Sequence, residues 1–393
     1  VRILHTADWH LGRTLEGRSR LAEQVDFLDE LVTIIRDEKI DIVLLAGDVY
    51  DTVNPPAAAE QLFYDAIARI TDGGKVPVVA IAGNHDSPDR LTASNPLTTK
   101  QGLTIVGLPT TEMQQIVIPR TDEIATIYAL PYPSESRLNQ CLTSETDEDK
   151  LQQAYAQRIA QLLKQQSSHF QSHCVNLIMS HLYVFGGKET DSERPIQVGG
   201  AYTVPASVFD VGAQYTALGH LHRPQCIKPT VRYSGSPLAY SFSESGQTKS
   251  VTIIDASPGQ EVTQKEIWLT SGKPLVKWRA KKGVSEVYPW LLEKRDANAW
   301  IDLELEVDQF LTNEEIAKIR KHHEGIIHIR PILTQEEEEL SSTYRMQMPI
   351  DQLFKQFYKK QTGGAEPDEE TIKLFLQLAS LDETDQSRKE KAE

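Results

Sequence analysis

The chain has 393 residues, 39% of them hydrophobic, a length that implies two or three domains and a composition that supports packed cores. A formal net charge of −15 argues against a surface that is basic overall and so against nucleic acid on charge alone, although cations bound among clustered carboxylates would invert the local potential. No apolar run nears the ~20 residues needed to span a bilayer, VRILHTADWH has neither the basic start nor the cleavage site of a signal peptide, and the scattered Cys141, Cys174 and Cys226 suit neither a disulfide framework nor a thiolate zinc site, so a reducing, cytoplasmic setting is expected.

In chain order, RILHTAD opens as a strand, and 19 to 40 carries Leu21, Val25, Leu28, Leu31, Val32 and Ile35 at helical spacing. DIVLLAGD follows as a buried strand, then a helix over 57 to 70, then the strand PVVAIAGNHD. A helix over 148 to 166 precedes VNLIMSH, AQYTALGHLH comes after a Gly-rich loop, and 231 to 269 reads as closing strands and hairpins. The alternation predicts stacked β-α units over 1 to 270. AWIDLELEV, NEEIAKIRKHH and IIHIRPIL read as strand, helix, strand, a small α/β capping domain over 271 to 333. The acidic QEEEELSS marks a linker over 334 to 347. Two amphipathic helices within 348 to 393 have apolar faces (Ile350, Leu353, Phe354, Phe357, Tyr358; Ile372, Leu374, Phe375, Leu378) too small to form a core, so they either pack back on the body or dock a partner helix.

The chemistry gathers at strand ends. Asp8 and His10 in TADWH, Asp48 in AGDVYD, Asn84, His85 and Asp86 in AGNHD, His181 in MSH, and His220 and His222 in GHLH each close an apolar run. Any one block has an ordinary explanation as a turn or an incidental histidine. Together they are expected to converge at the carboxyl edge of an open α/β sheet, with His220 and His222 on the same side of an extended segment. Seven oxygen and nitrogen donors without a thiolate suit manganese, iron or zinc, and are too many for one open site but divide between two metals that share a carboxylate. His85, left over beside Asn84, is the candidate general acid. Asp86 either orients His85 or is a turn residue before Ser87 and Pro88.

DWH, GDVYD, GNHD, the later lone histidine and GHLH resemble the calcineurin-like metallophosphoesterase superfamily, and HTADWHLG, AGNHDS, TALGHLHRPQ and YSGSPLAYSFSE are similar to nuclease subunits of the bacterial SbcCD type. The resemblance implies a two-sheet sandwich flanked by helices, with a capping domain and a C-terminal helix pair. It implies two manganese ions, one on Asp8, His10 and His222, the other on Asn84, His181 and His220, bridged by Asp48, with His85 catalytic. It further implies a DNA exonuclease acting 3′ to 5′ on double strands and an endonuclease on single strands and hairpins, serving DNA end processing, repair and recombination. Its partner would be the coiled-coil ATPase SbcC, clasped by Ile350, Leu353, Phe354, Phe357, Ile372, Phe375 and Leu378, in a complex with two copies of each subunit. Archaeal and eukaryotic relatives carry a histidine where this chain has Asp51. Thr52 and GNHD differ from the arginine and GNHE of the protein Ser/Thr phosphatases.

Arg13, Arg18, Arg20, Arg90, Lys188, Arg194 and Arg223, in loops beside the motifs, are candidate DNA phosphate contacts or ordinary surface charge. The helical surfaces at 57 to 70 and 88 to 97 are candidate dimer contacts. Two other functions stay open here: a phosphoesterase for a small molecule or a protein, and a scaffold that holds an ATPase dimer.

Overall fold

Ile42–Leu45 reads IVLL because both faces of its sheet are covered. Ile42 and Leu44 point into the layer between two sheets, while Val43 and Leu45 meet the helices Leu21–Asp37 and Ala57–Thr71 on the outside. The computed structural model describes residues 1–134, 137–138, 148–193, 202–309, 311–333, 349–361 and 366–377, without the side chains of 148–154, 356, 360 and 361. Cys141, Arg194, Leu378 and the expected linker at 334 to 347 lie outside the described residues.

The first sheet runs Thr263–Trp268, Ser250–Asp255, Arg2–Thr6, Ile42–Leu45, Val78–Ile81, Leu103–Val106, its last four strands parallel and its first two antiparallel. The second runs Gln225–Lys228, Val231–Tyr233, Tyr215–Gly219, Val175–His181, Ile124–Leu130, Gln114–Val117, parallel at its centre and antiparallel at both edges. Ile3, Val79, Ile81, Leu177, Met179, Tyr215 and Ile254 fill the layer between them. The helix Glu148–Ser167 covers the second sheet from outside through Tyr155, Ile159 and Leu163.

The sandwich expected from the resemblance is present, with differences. Leu103–Val106, Gln114–Val117 and Ile124–Leu130 were not expected as strands. Val25 lies outside the buried face of its helix, and Phe27 takes the inner position against Trp9. Leu275–Ala280 adds a third strand, and Val284–Leu292 a second helix, to the strand, helix and strand read over 300 to 333. Leu15, Phe242, Leu275, Trp300 and Ile327 form one cluster, and the Trp300 indole donates to Glu23 at 2.9 Å, so this small sheet is seated on the hairpin after DWHLG.

Residues Val1–Leu305 with Thr312–Arg330 form one compact unit, and Glu306–Leu311 with Pro331–Glu393 the other. In the second, Ile350–Gln361 and a helical stretch over 369 to 377 meet through stacked rings of Phe354 and Phe375, 4.0 Å apart. Ile350 and Phe357 are exposed, and Leu353 and Ile372 half-buried. Cys174 is buried, Cys226 exposed, and neither is bridged. Among the described residues no helix is long and apolar enough to cross a membrane.

Candidate metal centre

Parallel strands put their carboxyl ends on one edge, and the loops leaving five of them meet there. Asp8 and His10 follow Arg2–Thr6, Asp48 follows Ile42–Leu45, Asn84 to Asp86 follow Val78–Ile81, His181 ends Val175–His181, and His220 and His222 follow Tyr215–Gly219. Asp8, His10, Asp48 and His220 sit at φ of 55, 45, 48 and 103°, a left-handed backbone that costs energy for any residue with a side chain. Main-chain hydrogen bonds lock the turns to one another: Asp8 N–H donates to Gly47 and His10 N–H to Asp48, both at 3.0 Å. Gly219 has no room for a side chain, since a Cβ there would stand 1.8 Å from the Ala46 carbonyl.

Asp48 Oδ2 lies 3.6 Å from His10 Nε2 and 3.4 Å from His181 Nε2, between the two halves of the cluster. Its Oδ1 accepts the His85 N–H at 2.9 Å, and Asp8 Oδ1 accepts the His220 N–H at the same distance. On one side, ligand atoms of Asp8, His10 and His222 lie within 4.8 Å of one another, with His10 Nε2 and His222 Nε2 facing at 3.0 Å. On the other, Asp8, Asp48 and His181 make a second such group, and His181 Nε2 is 2.8 Å from Asn84 Oδ1, with the His220 ring 5.4 Å from the His181 ring. His181 Nδ1 donates to the Ala46 carbonyl at 3.0 Å, which leaves Nε2 for Asn84 and Asp48.

The electrostatics suit cations. Burial pushes His10 down to about 4 and His220 to about 3, and takes His222 well below its usual range, so these rings stay neutral with lone pairs to offer. Burial opposes charge on His181 too, but Asp48 and Asp8 carry it up to about 9. For Asp48 burial is outweighed by His181, His10 and His85, which hold its carboxyl well below the ordinary range. Asp8 is driven the other way by burial and by Asp48. The buried, neutral nitrogens of His10, His220 and His222 and the anionic Asp48 carboxylate, with no thiolate, fit divalent ions, and His181 would give up its Nε2 proton to join them. His10 Nδ1 is also buried and lies 3.5 Å from Asp51 Oδ1.

His85 sits at the rim, its ring 4.7 Å from that of His10. Its Nδ1 donates to the Asp51 main-chain carbonyl at 2.6 Å. Asp86, a candidate for that orienting role, is spent elsewhere: its carboxylate accepts the N–H groups of Val49, Tyr50 and Gly83 at 3.1, 2.9 and 2.8 Å. It ties the GNHD turn to the GDVYD turn and makes no hydrogen bond to the His85 ring.

The basic candidates separate. Arg13 belongs to the site: its Nη2 donates to the Ser192 carbonyl at 2.8 Å, its guanidinium lies 4.9 Å over the Tyr240 ring, and its buried Nη1 is 3.6 Å from Asp51 Oδ1. Arg20 does not reach a ligand, because it is buried, with its guanidinium taken by Glu23 and the Ala239 carbonyl. Arg18, Lys188 and Arg223 are exposed, and Arg90 is exposed but paired with Glu60 at 2.8 Å.

Two contributors escaped the sequence reading. Arg137 donates to the carbonyls of Gly83 and Asp86 at 2.7 and 2.9 Å and so brackets Asn84 and His85, yet it lies in a loop with no strand-end pattern to flag it. Tyr240, inside YSGSPLAYSFSE, packs its ring against His10 and His222 at 5.5 and 5.9 Å.

Residues 1–224 match the family described as calcineurin-like phosphoesterase. Over 383 residues, 97% of this chain and 98% of the relative, the chain is 57% identical to the D subunit of nuclease SbcCD from Bacillus subtilis (strain 168). Among solved structures, a Thermus thermophilus protein is similar at 11% identity, 67% of this chain, 98% of that one and a TM-score of 0.34. A dimetal phosphatase from Danio rerio is similar at 14% identity, 67% and 98% coverage and a TM-score of 0.36.

Proposed function

The chain belongs to the calcineurin-like phosphoesterase family, and from that membership and the geometry of its strand ends we propose that it is the metal-dependent nuclease subunit of an SbcCD-type complex. The observation that carries the reading is Asp48 Oδ2, placed within 3.6 Å of His10 Nε2 and 3.4 Å of His181 Nε2, where its carboxylate would be available to two ions. Asp8, His10 and His222 would hold one ion, Asn84, His181 and His220 the other, with manganese as the proposed metal. Such a pair supplies charge neutralisation at the phosphate and a hydroxide nucleophile near neutral pH.

The chain's own groups do the rest. Arg13 is proposed to bind a non-bridging phosphate oxygen through its Nη1, which lies 3.6 Å from Asp51 Oδ1 without a hydrogen bond to it. With its Nδ1 proton committed to the Asp51 carbonyl, His85 as an imidazolium would deliver its second proton from Nε2 to the departing 3′ or 5′ oxygen and be left neutral, and the carbonyl keeps that nitrogen pointed in one direction. The buried Tyr240 ring limits water around His10. As the resemblance of its motifs implies, the chain would trim double-stranded DNA ends 3′ to 5′, cut single strands and hairpins, and act in the cytoplasm. The residues from 271 to 333 would cap the nuclease domain. The helices at Ile350–Gln361 and 369 to 377 would grip the SbcC coiled coil, within an assembly of two copies of each subunit.

The test uses the full chain stripped of metal. With Mn²⁺ restored it should hydrolyse a bis-aryl phosphodiester and nick plasmid DNA, and Asp48→Asn should lose both. Turnover of an aryl phosphomonoester with no action on either diester would establish a phosphatase instead.

A further inference from the structure

We propose that Thr190, Ser192 and Glu193 are positioning residues that keep the His222 proton on Nδ1 and so leave Nε2 as a lone pair turned toward His10. The proposal rests on the metal reading above and assigns a role to TDSE, a stretch between two of the strand-end motifs.

The inference is a count of protons along four groups. Glu193 is an acceptor at both oxygens: Oε1 takes the His222 N–H at 2.8 Å, and Oε2 takes the Thr190 N–H at 2.7 Å. The Thr190 hydroxyl stands 2.6 Å from Oε2 and has one hydrogen, which the carboxylate claims. Toward Ser192, 2.8 Å away, the Thr190 oxygen is therefore left to accept, and the Ser192 hydroxyl must donate to it. With its only hydrogen spent, Ser192 Oγ faces His222 Nδ1 at 2.6 Å as an acceptor, so Nδ1 carries the proton. An anion at one end thus sets the direction of every bond to the imidazole at the other. A neutral histidine without such a partner places its proton on either nitrogen, and a proton on Nε2 would block that atom as a donor to a metal.

The wire is held in place from outside. Arg13 donates to the Ser192 carbonyl at 2.8 Å, and Asp191 N–H donates to Ser243 Oγ at 2.9 Å. From the opposite side the buried Lys249 donates to the His222 carbonyl at 2.9 Å, so both the ring and the backbone of this residue are fixed before any ion arrives.

Thr190→Val removes the central hydroxyl without touching His222, and Thr190→Ser restores it. Calorimetric titration of the metal-free full chain with Mn²⁺ should show Thr190→Val about 10-fold weaker at one of two sites, the magnitude typical of lost outer partners of metal-bound histidines, with the other site unchanged and Thr190→Ser close to wild type. Ser192→Ala, which deletes a single oxygen, should weaken the same site. Wild-type affinity at both sites in Thr190→Val and Ser192→Ala, or an equal loss in Thr190→Ser, overturns the proposal. A wild-type chain that binds no manganese overturns the metal reading and this inference with it, whereas two intact sites in Thr190→Val overturn the inference alone.

Discussion

Adjacent in GNHD, His85 and Asp86 have opposite surroundings, and the difference separates chemistry from architecture. His85 makes one ring hydrogen bond, to the Asp51 carbonyl, while the Asp86 carboxylate holds three main-chain N–H groups of two turns. Burial and the Asp48 charge raise Asp86 to about 6, and the three N–H donors hold it back. His85→Asn should therefore lower kcat for DNA cleavage by roughly 10²- to 10⁴-fold, the usual worth of a general acid, while Mn²⁺ affinity stays at the wild-type level. Asp86→Ala should instead orphan buried donors and cost about 2 kcal/mol or more in urea unfolding of the metal-free chain, because unsatisfied buried groups cost ~1 to 3 kcal/mol. Equal unfolding midpoints for wild type and Asp86→Ala would sink that assignment.

At the scale of elements, the site is a set of turns forced through narrow gaps, and the glycines before the donors are there for space. A Cβ on Gly83 would stand 2.0 Å from Asp48 Oδ1 and 2.3 Å from its amide nitrogen. Gly83→Ala must push the Asp48 carboxylate aside, and we expect a stability loss of roughly 1 to 3 kcal/mol together with weaker uptake of both proposed ions, since Asp48 faces both halves of the cluster. Uptake of one ion with wild-type affinity would show that Asp48 is not shared. The convergence itself was legible in the sequence, because a donor that ends an apolar run must emerge at the carboxyl edge of a parallel sheet. The wiring behind the donors was not. Arg137 and Thr190 act through main-chain carbonyls and hydroxyls that no spacing announces, and Arg20 reads as surface charge until Glu23 is seen beside it in the interior. Val25 falls outside the buried face for a similar reason: periodicity marks a stripe on a helix, but Trp9, packed against Phe27, decides which edge of the stripe is buried.

Across the whole sandwich, donors from the first sheet and donors from the second must stay in register, and one buried histidine outside the site helps to tie the sheets together. His5, in the Arg2–Thr6 strand, accepts from the Tyr215 hydroxyl at 2.9 Å through Nδ1 and donates to the Leu218 carbonyl at 3.1 Å through Nε2, both partners lying in the opposite sheet. Burial lowers its pKa to about 3, Arg232 adds to the shift, and the Leu218 carbonyl opposes it. The folded value lies below the ~6.5 of an unfolded histidine, so below that pH the unfolded chain binds a proton that the native chain refuses. Stability is unaffected by this group above about pH 6.5 and falls as pH drops from there toward 3. Between pH 7 and pH 5 the one proton is worth about 2 kcal/mol. Urea unfolding of the metal-free chain should therefore show wild type losing about 2 kcal/mol more than His5→Asn over that interval, even though the variant starts less stable at pH 7. The histidines of the strand-end cluster are the same in both proteins and cancel in the comparison. Equal losses would mean that His5 is already free to ionise in the native state, and that its bonds across the sandwich do not hold the two sheets together.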